Sequence, residues 1–202
     1  SVWGGGPITA VLLTNPSYGT LVLNTNGTFS YAHNGSETTS DTFTYAANDG
    51  FINGNTVTVT ITINPVNDRP TTVSDTLNVN EAGTVTLTTG GASNLLANDI
   101  DPEGDNLTAI VVTNPSYGNL TLNSSGTFSY IHDGSETTTD TFLYRVFDGE
   151  LYGDTVTITI VINPVNDAPL TVSDTITLDE GGTVTLTTPG SSTLLANDSD
   201  AE

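Results

Sequence analysis

Cysteine and methionine are both absent from the 202 residues, and lysine and arginine together number two. Without cysteine, disulfides, thiolate zinc sites, iron–sulfur clusters and thiol nucleophiles are all excluded. The scarcity of basic residues matters as much. Against 23 Asp and Glu it leaves a net charge of −21, which makes nucleic acid and anionic lipid surfaces poor partners. No apolar run approaches the roughly 20 residues of a membrane helix, so no membrane insertion is expected. No basic-then-apolar leader opens the chain, and any export signal is expected to have been removed or to lie outside it. Motifs of catalysis are missing too: there is no G-x-S-x-G elbow, H-E-x-x-H helix, phosphate-binding loop or dinucleotide fingerprint.

What is present is repetition. At an offset of 99 residues, Gly5–Glu103 aligns without gaps onto Gly104–Glu202, and 64 of the 99 positions are identical. TNPSYG at Thr14–Gly19 recurs at Thr113–Gly118, GTFSY at Gly27–Tyr31 at Gly126–Tyr130, and INPVND at Ile63–Asp68 at Ile162–Asp167. TVTLTT at Thr84–Thr89 and LLAND at Leu95–Asp99 recur at Thr183–Thr188 and Leu194–Asp198. A long exact period of this kind marks a tandem module.

Every stretch between turn signals reads as a strand. Thr155–Ile162 alternates hydroxyl and apolar residues, which puts Val156, Ile158, Ile160 and Ile162 on one buried face. Val73–Val79, Gly83–Thr88, Leu107–Val112, Asn119–Leu122, Gly126–Ile131 and Asp140–Phe147 complete about seven strands, divided by NG, SG, DG, GD and NP turns. The i, i+2 pairs Phe128/Tyr130 and Phe142/Tyr144 are expected to fill the core. Helical periodicity is nowhere to be found. The expected fold is all-β, an antiparallel sandwich in each repeat of 99 residues.

Proline interrupts a strand ladder, so NPVNDRP at Asn64–Pro70 and NPVNDAP at Asn163–Pro169 read as linkers. One whole unit then covers 69–167. Residues 1–68 form a unit lacking its first third, and 168–202 form the first third of a further unit. Three arrangements answer to this phase: a slice of a longer repeat protein, a subunit whose C-terminal third completes the 1–68 unit of a neighbour, and closure within one chain. The second would build a head-to-tail fibre, because a contact between unlike surfaces need not close.

Acidic side chains gather at the repeated turns. Asp99, Asp101, Glu103 and Asp105 alternate through NDIDPEGD, and Asp198, Asp200 and Glu202 through its copy. Asp49 and Asp148 with Glu150 mark DG turns, Glu81 and Glu180 stand alone, and Asn67/Asp68 and Asn166/Asp167 lie in the linkers. Dense hard oxygens of this kind suit Ca²⁺. Like charges crowded near linkers would repel unless cations neutralise them.

V-N-D-x-P, the N-E or D-E near each unit start, L-L-A-N-D-x-D, G-T-F-S-Y, D-T-F-x-Y and T-V-T-I-x-I, in this order, resemble the bacterial cadherin-like repeats of large secreted adhesins and surface proteins. The resemblance covers all but about the first four residues. It implies seven-stranded Greek-key sandwiches arrayed end to end and stiffened by Ca²⁺ at their junctions, outside the cell or on its surface. It further implies metal ligands at Glu81 and Glu180, Asp148/Glu150, Asn67/Asp68 and Asn166/Asp167, and Asp99/Asp101 and Asp198/Asp200. Phe51 replaces the second acid of the D-x-E in the first copy, leaving Asp49 alone, and Pro65 and Pro164 stand where the family's linker has its first Asp. Complementation between copies would bring Glu180, Asp198 and Asp200 to the first unit and restore its set.

The two histidines, His33 and His132, are repeat copies that read as turn residues rather than catalytic bases. Tyr18, Tyr117 and Tyr152 could serve as stacking platforms, which gives the alternative of a carbohydrate- or protein-binding adhesion module with a surface glycan or protein as partner. Several N-x-S/T sites would accept glycans in a secreted protein, and Trp3 falls outside the repeat.

Overall fold

The computed structural model describes residues 6–185 and 191–201. Trp3, Glu202 and the end of the second TVTLTT run lie outside them. The chain divides into two compact units, residues 1–68 and 69–202, and each is described by itself.

The second unit contains the whole sandwich. Its strands are β6 (Thr76–Asn80), β7 (Thr84–Val85), β8 (Thr108–Thr113), β9 (Gly118–Leu122), β10 (Phe128–His132), β11 (Thr139–Phe147) and β12 (Val156–Asn163). Its two sheets have the orders β6-β12-β11-β8 and β7-β10-β9. All the pairings are antiparallel except β6 with β12, which run parallel with Leu77 opposite Ile160 and Val79 opposite Ile162. Period-two alternation explains the core: Ile158, Ile160 and Ile162 point inward with Phe142, Tyr144 and Val146 of β11, and meet Phe128 and Tyr130 of β10. Leu77, Val79 and Leu95 complete this cluster. Leu95 belongs to a 3₁₀ turn, Leu95–Asn98, capped by Asn94, whose side chain accepts from the Leu96 N–H. That turn is the sole helical segment among the described residues.

The all-β sandwich expected from the sequence is what forms. The expected strand Gly83–Thr88 shrinks to the two residues of β7, because the chain beyond Val85 turns back on itself. Thr88 N–H donates to Ala92 O, and Thr89 N–H donates across to Thr76 O.

Two buried carboxylates hold the repeated NPSYG turns. Asp140 accepts from Ser116 N–H, Tyr117 N–H and the Tyr130 hydroxyl at 3.0, 2.8 and 2.9 Å. Asp41 repeats this with Ser17, Tyr18 and Tyr31 at 2.9, 2.8 and 2.9 Å. Desolvation works to raise Asp41, but its backbone and hydroxyl donors outweigh it and bring the carboxyl down to about 2.

The first unit contains β1 (Thr9–Thr14), β2 (Gly19–Leu23), β3 (Phe29–His33), β4 (Ser40–Asn48) and β5 (Val57–Thr62). They form a three-stranded sheet, β1-β4-β5, and a β2-β3 hairpin. These are the repeat copies of β8 to β12, down to the register shift in β1 between Leu12 and Thr14. The core is thinner. Phe43 and Ala46 are buried, whereas Val59, Ile61 and Ile63 are only half-buried and Phe29 is 61% exposed.

Candidate metal centre

At one end of the second unit three strands deliver carboxylates to one place. Glu81 follows β6, Glu136 lies in the loop from β10 to β11, and Asp167 follows β12. Ligand oxygens from the three lie within 4.8 Å of one another. The parallel ladder brings Glu81 there: Asn80 pairs with Asn163, Glu81 N–H donates to Asn163 O at 2.9 Å, and Glu81 Oε2 accepts from Val165 N–H at 3.1 Å. His132 brings the other loop in. Its buried ring accepts at Nδ1 from Ala82 N–H at 3.2 Å and bonds at Nε2 to the Thr137 hydroxyl at 3.0 Å, so it brackets the loop that carries Glu136. Its role is that of a turn residue, as the sequence suggests.

The chemistry of this donor set fits a calcium ion. Ca²⁺ takes oxygen ligands at about 2.3–2.6 Å, so two ligands of one ion stand at most about 5 Å apart. Glu81 is 8% exposed, which desolvates its charge, and a cation is the natural counterpart for a buried carboxylate beside two others. The chain's two basic side chains are engaged elsewhere: Arg69 pairs with Asp154 at 3.1 Å, and Arg145 stacks over the Tyr152 ring at 3.9 Å.

The remaining acids serve in several ways. Asp99 accepts from Val73 N–H at 2.7 Å and from the Tyr144 hydroxyl at 2.8 Å, and so anchors a loop to the core. Burial pushes Asp99 up, and burial together with the Asp99 charge pushes its neighbour Asp75 up to about 6. The same surroundings raise the Tyr144 hydroxyl. Asp148 accepts from Glu150 and Leu151 N–H groups at 2.7 and 2.6 Å, and Asp49 from Phe51 and Ile52 at 3.0 Å each. These bonds bring Asp49 below the usual carboxylate range. Asp101 turns Oδ1 to the N–H groups of Glu103 and Asp105, while its Oδ2 is buried with no hydrogen-bond partner. Asp198 holds Val172 N–H at 2.8 Å, as Asp99 holds Val73. Glu150, Asn166, Glu180 and Asp200 are exposed.

In the first unit Glu37 and Asp68, the copies of Glu136 and Asp167, again bring carboxylate oxygens within 4.8 Å. Asn67 Nδ2 donates to Asp68 O at 3.2 Å, and Asn166 Nδ2 donates in the same way to Asp167 O. Glu37 and Glu136 are absent from the acids that the sequence singles out. The available signal was an acid kept in both copies of the H-x-G-S-E-T-T turn while the residue after His changed from Asn34 to Asp133.

The bacterial cadherin-like domain matches residues 4–65 and 67–164, and the chain belongs to that family. Among solved structures, human mucin-like protocadherin EC1-2 is similar with a TM-score of 0.54 at 14% identity, over 78% of this chain and 85% of that one. The protocadherin gammaB7 EC3-6 cis-dimer structure gives 0.55 at 15%, over 84% and 44%. Human CDH23 EC21-23 gives 0.51 at 16%, over 79% and 63%. At such identities the likeness is one of fold. No curated protein matches the chain. Among the described residues no helix is long and apolar enough to cross a membrane.

Proposed function

We propose that the chain is a non-catalytic extracellular scaffold, an adhesin spacer or fibre subunit, braced by calcium and associating head to tail with its own copies by strand complementation. The observation that carries this reading is the convergence of Glu81, Glu136 and Asp167 where a sandwich runs into its V-N-D linker. A bound Ca²⁺ neutralises carboxylates that otherwise repel, and the linker then loses freedom to hinge. The orphaned Oδ2 of Asp101 supports a second ligand set in the NDIDPEGD loop. Complementation would set Glu180 beside Glu37 and Asp68, in the relation that Glu81 has to Glu136 and Asp167.

Calorimetry and thermal unfolding with and without calcium test the brace. Calcium at 100 times its dissociation constant should stabilise the second unit by about 2.7 kcal/mol, and Glu81→Gln or Glu136→Gln should weaken binding at least tenfold. Identical melting in calcium and in chelator would remove calcium from the account.

A further inference from the structure

Asparagine is followed by glycine three times in the chain, at Asn26-Gly27, Asn34-Gly35 and Asn53-Gly54. In such a pair the glycine nitrogen can attack the asparagine carboxamide, because the following residue has no Cβ to hinder the approach. The attack is favoured by a base for the glycine N–H proton, by donors on the carboxamide oxygen where negative charge gathers, and by access of water. The three pairs meet these conditions unequally.

At Asn53 the glycine nitrogen is committed to the hairpin. Gly54 N–H donates to Ala47 O at 2.7 Å, and Asn53 Oδ1 accepts from the Asn48 amide at 2.7 Å. At Asn26 the oxygen is better supplied, since Oδ1 accepts from the Thr28 N–H at 3.1 Å and from its hydroxyl at 2.7 Å. Gly27 N–H, however, donates to Asn24 O at 2.9 Å, a peptide carbonyl with no capacity to take up the proton.

Asn34 has both a supplied oxygen and a base. Its Oδ1 accepts from the Ser36 N–H at 3.1 Å and from the Ser36 hydroxyl at 2.7 Å. The first of these bonds closes a ring that contains Asn34 Cγ and the Gly35 nitrogen, so the attacking and attacked atoms share one turn. Gly35 N–H donates to His33 Nδ1 at 3.4 Å. The other ring nitrogen, Nε2, stands 3.0 Å from Thr38 Oγ1, and the tautomer that donates there has its lone pair at Nδ1. Asn34 and Gly35 are exposed, so water reaches them.

We infer that His33–Ser36 is a self-modification site, at which Asn34 is converted to aspartate through a cyclic imide with His33 as the base. The Gly35 nitrogen bonds to Asn34 Cγ as its proton passes to His33 Nδ1, and the charge gathers on Oδ1 between the two Ser36 donors. The adduct collapses by breaking the Cγ–Nδ2 bond, and the departing nitrogen takes the proton back from the imidazolium and leaves as ammonia. Water then opens the imide, at one carbonyl to aspartate and at the other to isoaspartate. One water is consumed, one ammonia is released and one carboxylate is gained. The base acts once, on its own chain, and no turnover is involved.

The fold has a place for the aspartate. The second unit has Asp133 at this position, whose Oδ1 accepts from the Ser135 N–H at 3.0 Å and hydroxyl at 2.7 Å, with Gly134 N–H again on the histidine Nδ1 at 3.3 Å. Modification carries the first turn from the N-G to the D-G form of its copy and places a new carboxylate in the loop that carries Glu37.

Peptide mapping by mass spectrometry, on the full chain aged at neutral pH, follows all three asparagines in one sample. Asn34 should convert about tenfold or more faster than Asn26, with Asn53 slowest, and the three rates should converge in denaturant. His33→Gln keeps a hydrogen-bond acceptor without a base, and should bring Asn34 down to the rate of Asn26 while leaving Asn26 unchanged. In the parent chain the ratio of Asn34 to Asn26 conversion should fall as acid protonates the ring, between about pH 8 and about pH 5. That ratio is read without any substitution, so it stands even if the variant fails to fold. Asn34 converting no faster than Asn26 in the native chain overturns the inference. So does a ratio that stays constant with pH, or a folded His33→Gln chain in which Asn34 keeps its lead.

Discussion

Phe29 and Phe128 occupy one repeat position in identical G-T-F-S-Y strands, yet Phe29 is 61% exposed and Phe128 is 5% exposed. Val59, Ile61 and Ile63 differ from Ile158, Ile160 and Ile162 in the same sense. Local sequence is nearly constant between the units, so the difference comes from what packs over them. Residues 69–103 supply β6, β7 and the 3₁₀ turn that cover the second unit, whereas the first unit contains, among the described residues, only the copies of β8 to β12. A strand's alternation decides which side chains face inward, and a second layer decides whether inward means dry.

The largest break in this comparison should come from the core. Phe128→Ala should cost about 3–5 kcal/mol in the second unit, and Phe29→Ala under about 1 kcal/mol in the unassembled chain. Hydrogen exchange of β10 and β3 would read the two separately. Should Phe29→Ala prove as costly as Phe128→Ala at low concentration, Phe29 is covered within a single chain.

Removing Asp140 comes next. Asp140→Ala removes the acceptor of the Ser116, Tyr117 and Thr141 N–H groups and leaves the buried Tyr130 hydroxyl only Tyr117 O, a loss of about 2–3 kcal/mol seen in denaturant unfolding. Tyr130→Phe should cost only about 1 kcal/mol, since the three N–H bonds to Asp140 survive.

Acid should move the units in opposite directions. Asp75 has a folded value of about 6, above the unfolded value of about 3.9, so the stability it contributes is fully present below about pH 4 and is lost as pH rises through 6. Asp41, at about 2, contributes stability that is present above about pH 4 and lost as pH falls toward 2. Melting followed from pH 7.5 to 5 should therefore rise for the second unit, and Asp75→Asn should raise it at pH 7.5 and flatten this slope. From pH 4 to 2 the first unit should weaken.

The smallest effect concerns Ala82, whose φ of 52° is left-handed and unfavourable for any residue with a Cβ. The copy of this position is Gly181, with φ of 78°. Ala82→Gly should stabilise the second unit by up to about 1 kcal/mol, detectable as a melting shift of a few degrees.

Much of the fold was legible because strand period, turn residues and the 99-residue repeat agree with one another. Ile158, Ile160, Phe142 and Tyr144 fall in the core as alternation requires. Gly83–Thr88 misled because its alternation continues past the point where Thr88 bonds back to Ala92. For the candidate site the sequence reveals which turns are acidic, but not which backbone N–H groups occupy each carboxylate. Asp148 and Asp49 accept from N–H groups of their own turns, and Asp99 accepts from Val73 N–H and the Tyr144 hydroxyl far along the chain, contacts that no one-dimensional pattern reveals. Glu136 looks unremarkable beside them, and its approach to Glu81 and Asp167 comes with the His132 bonds to Ala82 N–H and the Thr137 hydroxyl, which are long-range or side-chain contacts.

The parallel pairing of β6 with β12 has a mechanical meaning. Tension along a tandem array enters the second unit at the start of β6 and leaves at the end of β12, and parallel strands place those two points at opposite ends of one ladder. The pull then slides one strand along the other, so the bonds from Thr76–Thr159 to Asn80–Asn163 bear load together rather than opening one at a time. Forced unfolding is governed by the barrier to that concerted rupture. Among the described residues the first unit pairs β5 with β4 alone, so it has no parallel ladder of this kind.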